Sequence, residues 1–118
     1  MSAHDLTKIT LGGVIDDVST AGQIYIPVPK QFDGTVSQIV ATLDAAITVA
    51  DATLTVKNSD GTTLGTLTII QSGSAAGSTF VGNISAGSLA RPGAALEVET
   101  DGGSTTAVKC YVTIVIKR

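Results

Sequence analysis

The stretch Ala107-Val-Lys-Cys-Tyr-Val-Thr-Ile-Val-Ile-Lys117 places Val108, Cys110, Val112, Ile114 and Ile116 on one parity and Lys109, Thr113 and Lys117 on the other. Side chains of an extended chain point alternately to opposite faces, so this pattern is a β-strand with one apolar face and one wetter face. At roughly 3.3 Å per residue it would run about 36 Å, long enough to serve as a central strand with neighbours on both sides. Tyr111 and Val115 fall on its outward parity.

Working back from this strand, the same period recurs. Ala95 to Thr100 alternates with Leu96 and Val98 inward and Glu97 and Glu99 outward. Gln23 to Pro29 alternates with Ile24, Ile26 and Val28 inward, and its prolines, which cannot donate to a ladder, put it on a sheet edge. Ala52 to Val56 and Thr62 to Ile70 flank Asn58-Ser-Asp-Gly61, a hairpin signal. Leu6 to Ile15 reads as a first strand, in which Gly12-Gly13 marks a bulge or a close backbone approach. A short strand is expected near Thr79 to Val81, and Arg91-Pro-Gly93 fits a turn. Asp44 to Ala50 is an alanine-rich connection whose Ile47-Thr-Val49 favours extended chain.

Thr35 to Leu43 is different. Ile39, Ala41 and Leu43 occupy one parity while Val36 and Val40 occupy the other, so strict alternation makes this strand apolar on both faces. Its second apolar row needs a cover from a loop or a neighbouring subunit.

Strands recurring about every ten residues, with no helix of useful length, give an all-β fold: an antiparallel β-sandwich or jelly roll of eight or nine strands. The 118 residues make one domain, 1–118, with residues 1–5 a flexible tip. Hydrophobic residues form 43% of the chain but aromatics only 3%, so the core must be aliphatic. Charged residues are only 14%, too few to coat a lone monomer, so part of the surface is expected to face another subunit. Val36 and Val40, with Tyr111 and Val115, are the candidate oligomer interface.

The net charge of −3 and the scatter of seven basic residues from Lys8 to Arg118 argue against nucleic-acid binding. With no Trp, only Tyr25, Tyr111, Phe32 and Phe80 could stack on sugars or bases. The opening Met1-Ser-Ala-His-Asp has no signal-peptide pattern and no apolar run reaches membrane-spanning length, so no membrane role is expected. The one histidine, His4, lies in a fraying terminus, and the one cysteine, Cys110, lies on an inward parity. Neither makes a nucleophile and base pair, and no catalytic residue is assigned. Asp16-Asp17, Asp44 and Asp51 lack metal-loop spacing and read as turn formers, and no cofactor is implied.

The run Tyr25-Ile-Pro-Val-Pro29 followed by Asp33-Gly-Thr-Val-Ser-Gln-Ile-Val-Ala-Thr-Leu-Asp-Ala-Ala-Ile-Thr-Val-Ala-Asp-Ala-Thr-Leu-Thr-Val56 resembles a segment of small virion proteins of tailed bacteriophages. Ser85-Ala-Gly-Ser-Leu89, Leu96-Glu-Val-Glu-Thr-Asp-Gly-Gly-Ser-Thr105 and the closing strand are similar to the second half of those proteins. The resemblance implies a jelly-roll decoration or cement protein, usually trimeric, seated on the outside of the phage head against the major capsid protein. A head-fibre base, a neck or tail-associated module, or a non-catalytic carbohydrate or host-surface binding domain are the alternatives.

Overall fold

The last strand is shorter than its alternation. The computed structural model describes residues 8–30, 34–84, 89–90 and 93–117, and in it the last strand, β9, runs Cys110–Lys117. Ala107 to Lys109 lie outside the ladder, and loops take the backbone groups of Val108 and Lys109. Val18 N–H donates to Val108 O at 3.0 Å and Asp44 N–H to Lys109 O at 3.1 Å, while Lys109 N–H donates to Asp44 Oδ1 at 3.3 Å. Val108 is nonetheless buried, so the apolar parity survives where the pairing does not.

The inward row Cys110, Val112, Ile114 and Ile116 is fully buried. On one side β9 pairs antiparallel with β1 (Lys8–Ile15), from Lys8 opposite Lys117 to Ile15 opposite Cys110. On the other it pairs antiparallel with β3 (Gly34–Leu43). Strands β6 (Thr79–Asn83) and β7 (Leu89–Ala90) pair with β3, completing a first sheet in the order β1-β9-β3-β6. The second sheet has the order β2-β8-β4-β5, with β2 at Gly22–Pro27, β4 at Ala52–Lys57, β5 at Thr63–Ile69 and β8 at Ala95–Thr100. Every pairing is antiparallel, and no described residue is helical. The pairs are nested: β1 with β9, β2 with β8, β3 with β6, β4 with β5. The chain therefore follows the path of one long hairpin rolled into two layers.

The layers enclose a core of Val, Ile, Leu and Ala drawn from both sheets. Edge strand β2 carries Pro27 at its end, as its missing donor requires. The β1 register runs without a shift through Gly12-Gly13, so the glycines mark a close approach and not a bulge. A Cβ on Gly13 would stand 2.9 Å from Ile24 Cδ1 of β2, and one on Gly82 of β6 would stand 3.1 Å from the Thr66 carbonyl oxygen of β5. These glycines let the two sheets close on each other along both sides of the sandwich. The β4–β5 hairpin forms where expected: the Asn58 carboxamide accepts from Asp60 N–H at 2.9 Å and Thr62 N–H at 3.2 Å, and Gly61 has a φ of 82°. The connection after β3 contains no helical turn. Ala50 N–H donates to Thr48 O at 2.9 Å across Val49, whose φ is 77°, which makes a tight γ-turn at the loop tip.

Strict alternation fails in β3. The pairing with β9 shifts register between Val36 and Gln38, so Ser37 is an extra residue. The bulge reverses the parity of everything before it. Val36, expected on the outward row with Val40, instead turns inward beside Ile39, Ala41 and Leu43 and is 1% exposed. The bulge is held from both sides, with Ser37 Oγ donating to Val115 O at 3.2 Å and Ile84 N–H to Ser37 O at 2.9 Å.

Cys110 is packed in the core, and burial pushes its thiol up to about 11 from an ordinary 9.0. Because the folded-state value is the higher one, the thiol's contribution to stability is full below pH 9.0 and lost as pH rises toward 11. A disulfide reagent at about pH 8 should leave the native protein unlabelled and label it stoichiometrically in denaturant. Native labelling at the unfolded rate would contradict the packing. The bulge has its own test in one isosteric substitution made at two sites of equal sequence parity. In a Tyr111→Asp background, which keeps the outer face in water, Val36→Thr buries an unpaired hydroxyl and should cost roughly 1–3 kcal/mol in urea unfolding, and Val40→Thr should stay within about 0.5 kcal/mol. Equal costs would mean that β3 runs without the bulge.

Candidate functional site

The two outer faces of the sandwich differ in chemistry. On the second sheet, β8 turns Glu97 outward between Tyr25 of β2 and Lys57 of β4, and Glu99 outward between Gln23 and Thr55. Lys57 Nζ lies 3.0 Å from Glu99 Oε1, and this contact holds the Glu99 carboxyl below the usual carboxylate range and raises the Lys57 ammonium. Glu97 shares a hydrogen bond with Glu99, which raises its pKa. Outward threonines Thr53 and Thr55 of β4 stand opposite Thr68 and Thr66 of β5. This is a solvated, charge-bearing face.

The first sheet presents something else. The register sets its outward side chains in rows across the strands: Val14, Tyr111, Thr42 and Thr79; then Gly12, Thr113, Val40 and Val81; then Thr10, Val115, Gln38 and Asn83. None of these twelve residues is charged. Lys8 and Lys117, at one end of the face, follow as the next row with Thr35. Val14 is 43% exposed, Val81 53% and Tyr111 47%, with Val40 and Val115 half-buried between them. A β-branched face of this kind packs well against another surface and gains little from water.

Of the four residues expected at an interface, the structure brings together Val40, Tyr111 and Val115 on this face and removes Val36 to the core. Val14 and Val81, which the sequence reading passed over, complete the patch. Val14 had a legible signal, since Ile9, Leu11 and Ile15 take the opposite parity in β1 and force it outward. Val81 had the same signal from Phe80 and Gly82, in a strand of only five residues.

The remaining candidates have local roles. The Asp17 carboxylate accepts from Ser19 N–H at 2.8 Å, Ser19 Oγ at 2.5 Å and Thr20 Oγ1 at 3.1 Å, and the Ser19 bonds lower its pKa. Asp44 accepts from Lys109 N–H and Asp51 from Gln71 N–H, so each ties two loops together as turn chemistry does. A cleft of about 260 Å³ lies beside Asp16 and Asp17 between the end of β1 and the start of β2. Its walls hold two acids, Gln23 and threonines, and the Asp17 carboxylate there is taken up by the Ser19 and Thr20 bonds of its own turn. Among the described residues no group of three or more His, Cys, Asp or Glu could hold a metal ion. His4 lies outside the described residues. No described helix is long and apolar enough to cross a membrane. No protein-family model matches this chain, and no curated protein matches it.

Proposed function

We propose that this chain is a structural subunit of a virus particle, a decoration or cement protein on the outer surface of a tailed-phage head, and that it works as a homotrimer. The observation that carries the reading is the uncharged valine and tyrosine face of the β1-β9-β3-β6 sheet, set opposite a charged face on the other sheet. The resemblance of Tyr25 to Val56 and of Leu96 to Thr105 to phage virion proteins supports it from the sequence side. The nested strand pairing supports the jelly-roll winding that such proteins have.

Size says how such a subunit would work. Four strands about 4.8 Å apart and about 26 Å long offer on the order of 500 Å², less than the roughly 800 Å² per partner of a stable interface. A single contact through this face is small, and in a closed trimer every subunit makes two of them. Three copies joined through it, presented together to the major capsid protein, would add weak contacts into avid attachment with no chemical step. Val40, Tyr111 and Val115 are the residues assigned to the shared surface, now with Val14 and Val81.

Light scattering of the wild-type chain at micromolar concentration should give a trimer mass. Val40→Asp and Tyr111→Asp should give folded monomers, since each sets a charge where the assembled state excludes water. Wild-type protein should bind pre-formed phage heads in a fixed ratio to the major capsid protein, and the two variants should not. A monomeric wild-type mass with no binding to heads would contradict the proposal.

A further inference from the structure

The Ser37 bulge does more than turn Val36 inward. It leaves a depression of about 210 Å³ on the outer face of the first sheet, lined by Lys8, Ser37, Gln38, Asn83, Val115 and Lys117. Lys8 and Lys117 stand directly opposite each other in the antiparallel β1–β9 pair, and both are exposed. Like charges directly across a ladder are destabilising, and none of the outward residues in the rows above them is acidic. Gln38 and Asn83, themselves a cross-strand pair, place two carboxamides at the same depression. The result is two ammonium groups at the end of a neutral face, with amide donors beside them and a recess between.

We propose that this depression is a carboxylate-binding site, occupied in the assembled state by an acidic side chain of a neighbouring copy; the identity of the occupant rests on the assembly reading above. Charge complementarity selects the occupant. The whole chain has ten acidic and seven basic residues, while the four rows from Val14 to Lys8 are charged only at Lys8 and Lys117, so a second copy arrives with the sign that the lysines lack. A carboxylate fits the donor set, because two ammonium groups and two carboxamide NH₂ groups can share its two oxygens. Its arrival relieves the Lys8 and Lys117 repulsion and fixes which end of the face the partner's acid must meet. The pair thereby supplies polarity to a contact whose valines alone specify none.

The test is a titration followed by amide NMR. Glutarate is the carboxylate probe, inorganic phosphate the competing oxyanion, and sodium chloride the ionic-strength control. It is made on Tyr111→Asp, whose substitution lies two rows from the nearest wall of the depression and frees the site, and on the wild-type chain. Glutarate should move the Ser37, Gln38 and Asn83 amides saturably in Tyr111→Asp. The shifts should vanish when Lys8→Gln and Lys117→Gln are added, and return with Lys8→Arg and Lys117→Arg. Unchanged amides elsewhere show that the variants are folded. In trimeric wild-type protein the probe should raise the dissociation constant of the trimer. Saturable binding to a wild-type chain that proves monomeric would keep the carboxylate site and remove the neighbouring copy as its occupant. No saturable shift in either protein, or phosphate moving the same amides at equal or lower concentration, would overturn the site.

Discussion

The inward row of β9 is the constraint on which the rest of the molecule depends. Cys110, Val112, Ile114 and Ile116 leave water only if a strand lies on each side of β9 and a second sheet lies over it. Satisfying this with the first strand on one flank and β3 on the other forces the nested pairing, and the nesting brings Lys8 to Lys117. A core need thus decides what stands at the end of an outer face. With Phe80 the one aromatic among the described residues that packs against the core, the two sheets must come close, and Gly13 and Gly82 are where the backbone allows it.

Much of this was legible because alternation is a strong signal wherever each strand has one buried face. β4, β8 and β9 carry that signal cleanly, and their inward residues are the buried ones, while β5 alternates only from Gly65 onward, past a register shift that leaves Leu64 as an extra residue. The edge position of β2 followed from Pro27 and Pro29. What alternation misses is a change of phase. One added residue at Ser37 moves Val36 from surface to core, and nothing in Thr35-Val-Ser-Gln38 distinguishes a bulge from an unbroken strand. Hydrogen bonding sets the second limit. Ala107 to Lys109 have the parity of a strand, yet the partners of Val108 and Lys109 lie in the β1–β2 turn and the β3–β4 loop, which no local pattern reveals.

The uncharged outer face was legible only in part, for a related reason. Low charge and doubled apolar parity indicated an unfinished surface, and Val40, Tyr111 and Val115 do share one. Val14 and Val81 come from strands distant in sequence, and only the register sets them in the same rows. The Lys8 and Lys117 pair is likewise a product of pairing between the two ends of the chain. Contrast between faces is a property of the assembled sheets, so sequence supplies its ingredients and topology supplies its position.

The chain has two tyrosines, one on each outer face: Tyr111 on the neutral face and Tyr25, 61% exposed, on the charged one. Nitration of the assembled protein, read residue by residue against the dissociated chain, therefore reports directly which face is covered. The account predicts that assembly protects Tyr111 and leaves Tyr25 as reactive as in the free subunit. Protection of Tyr25 with Tyr111 still reactive, or equal reactivity of Tyr111 in both states, would contradict it.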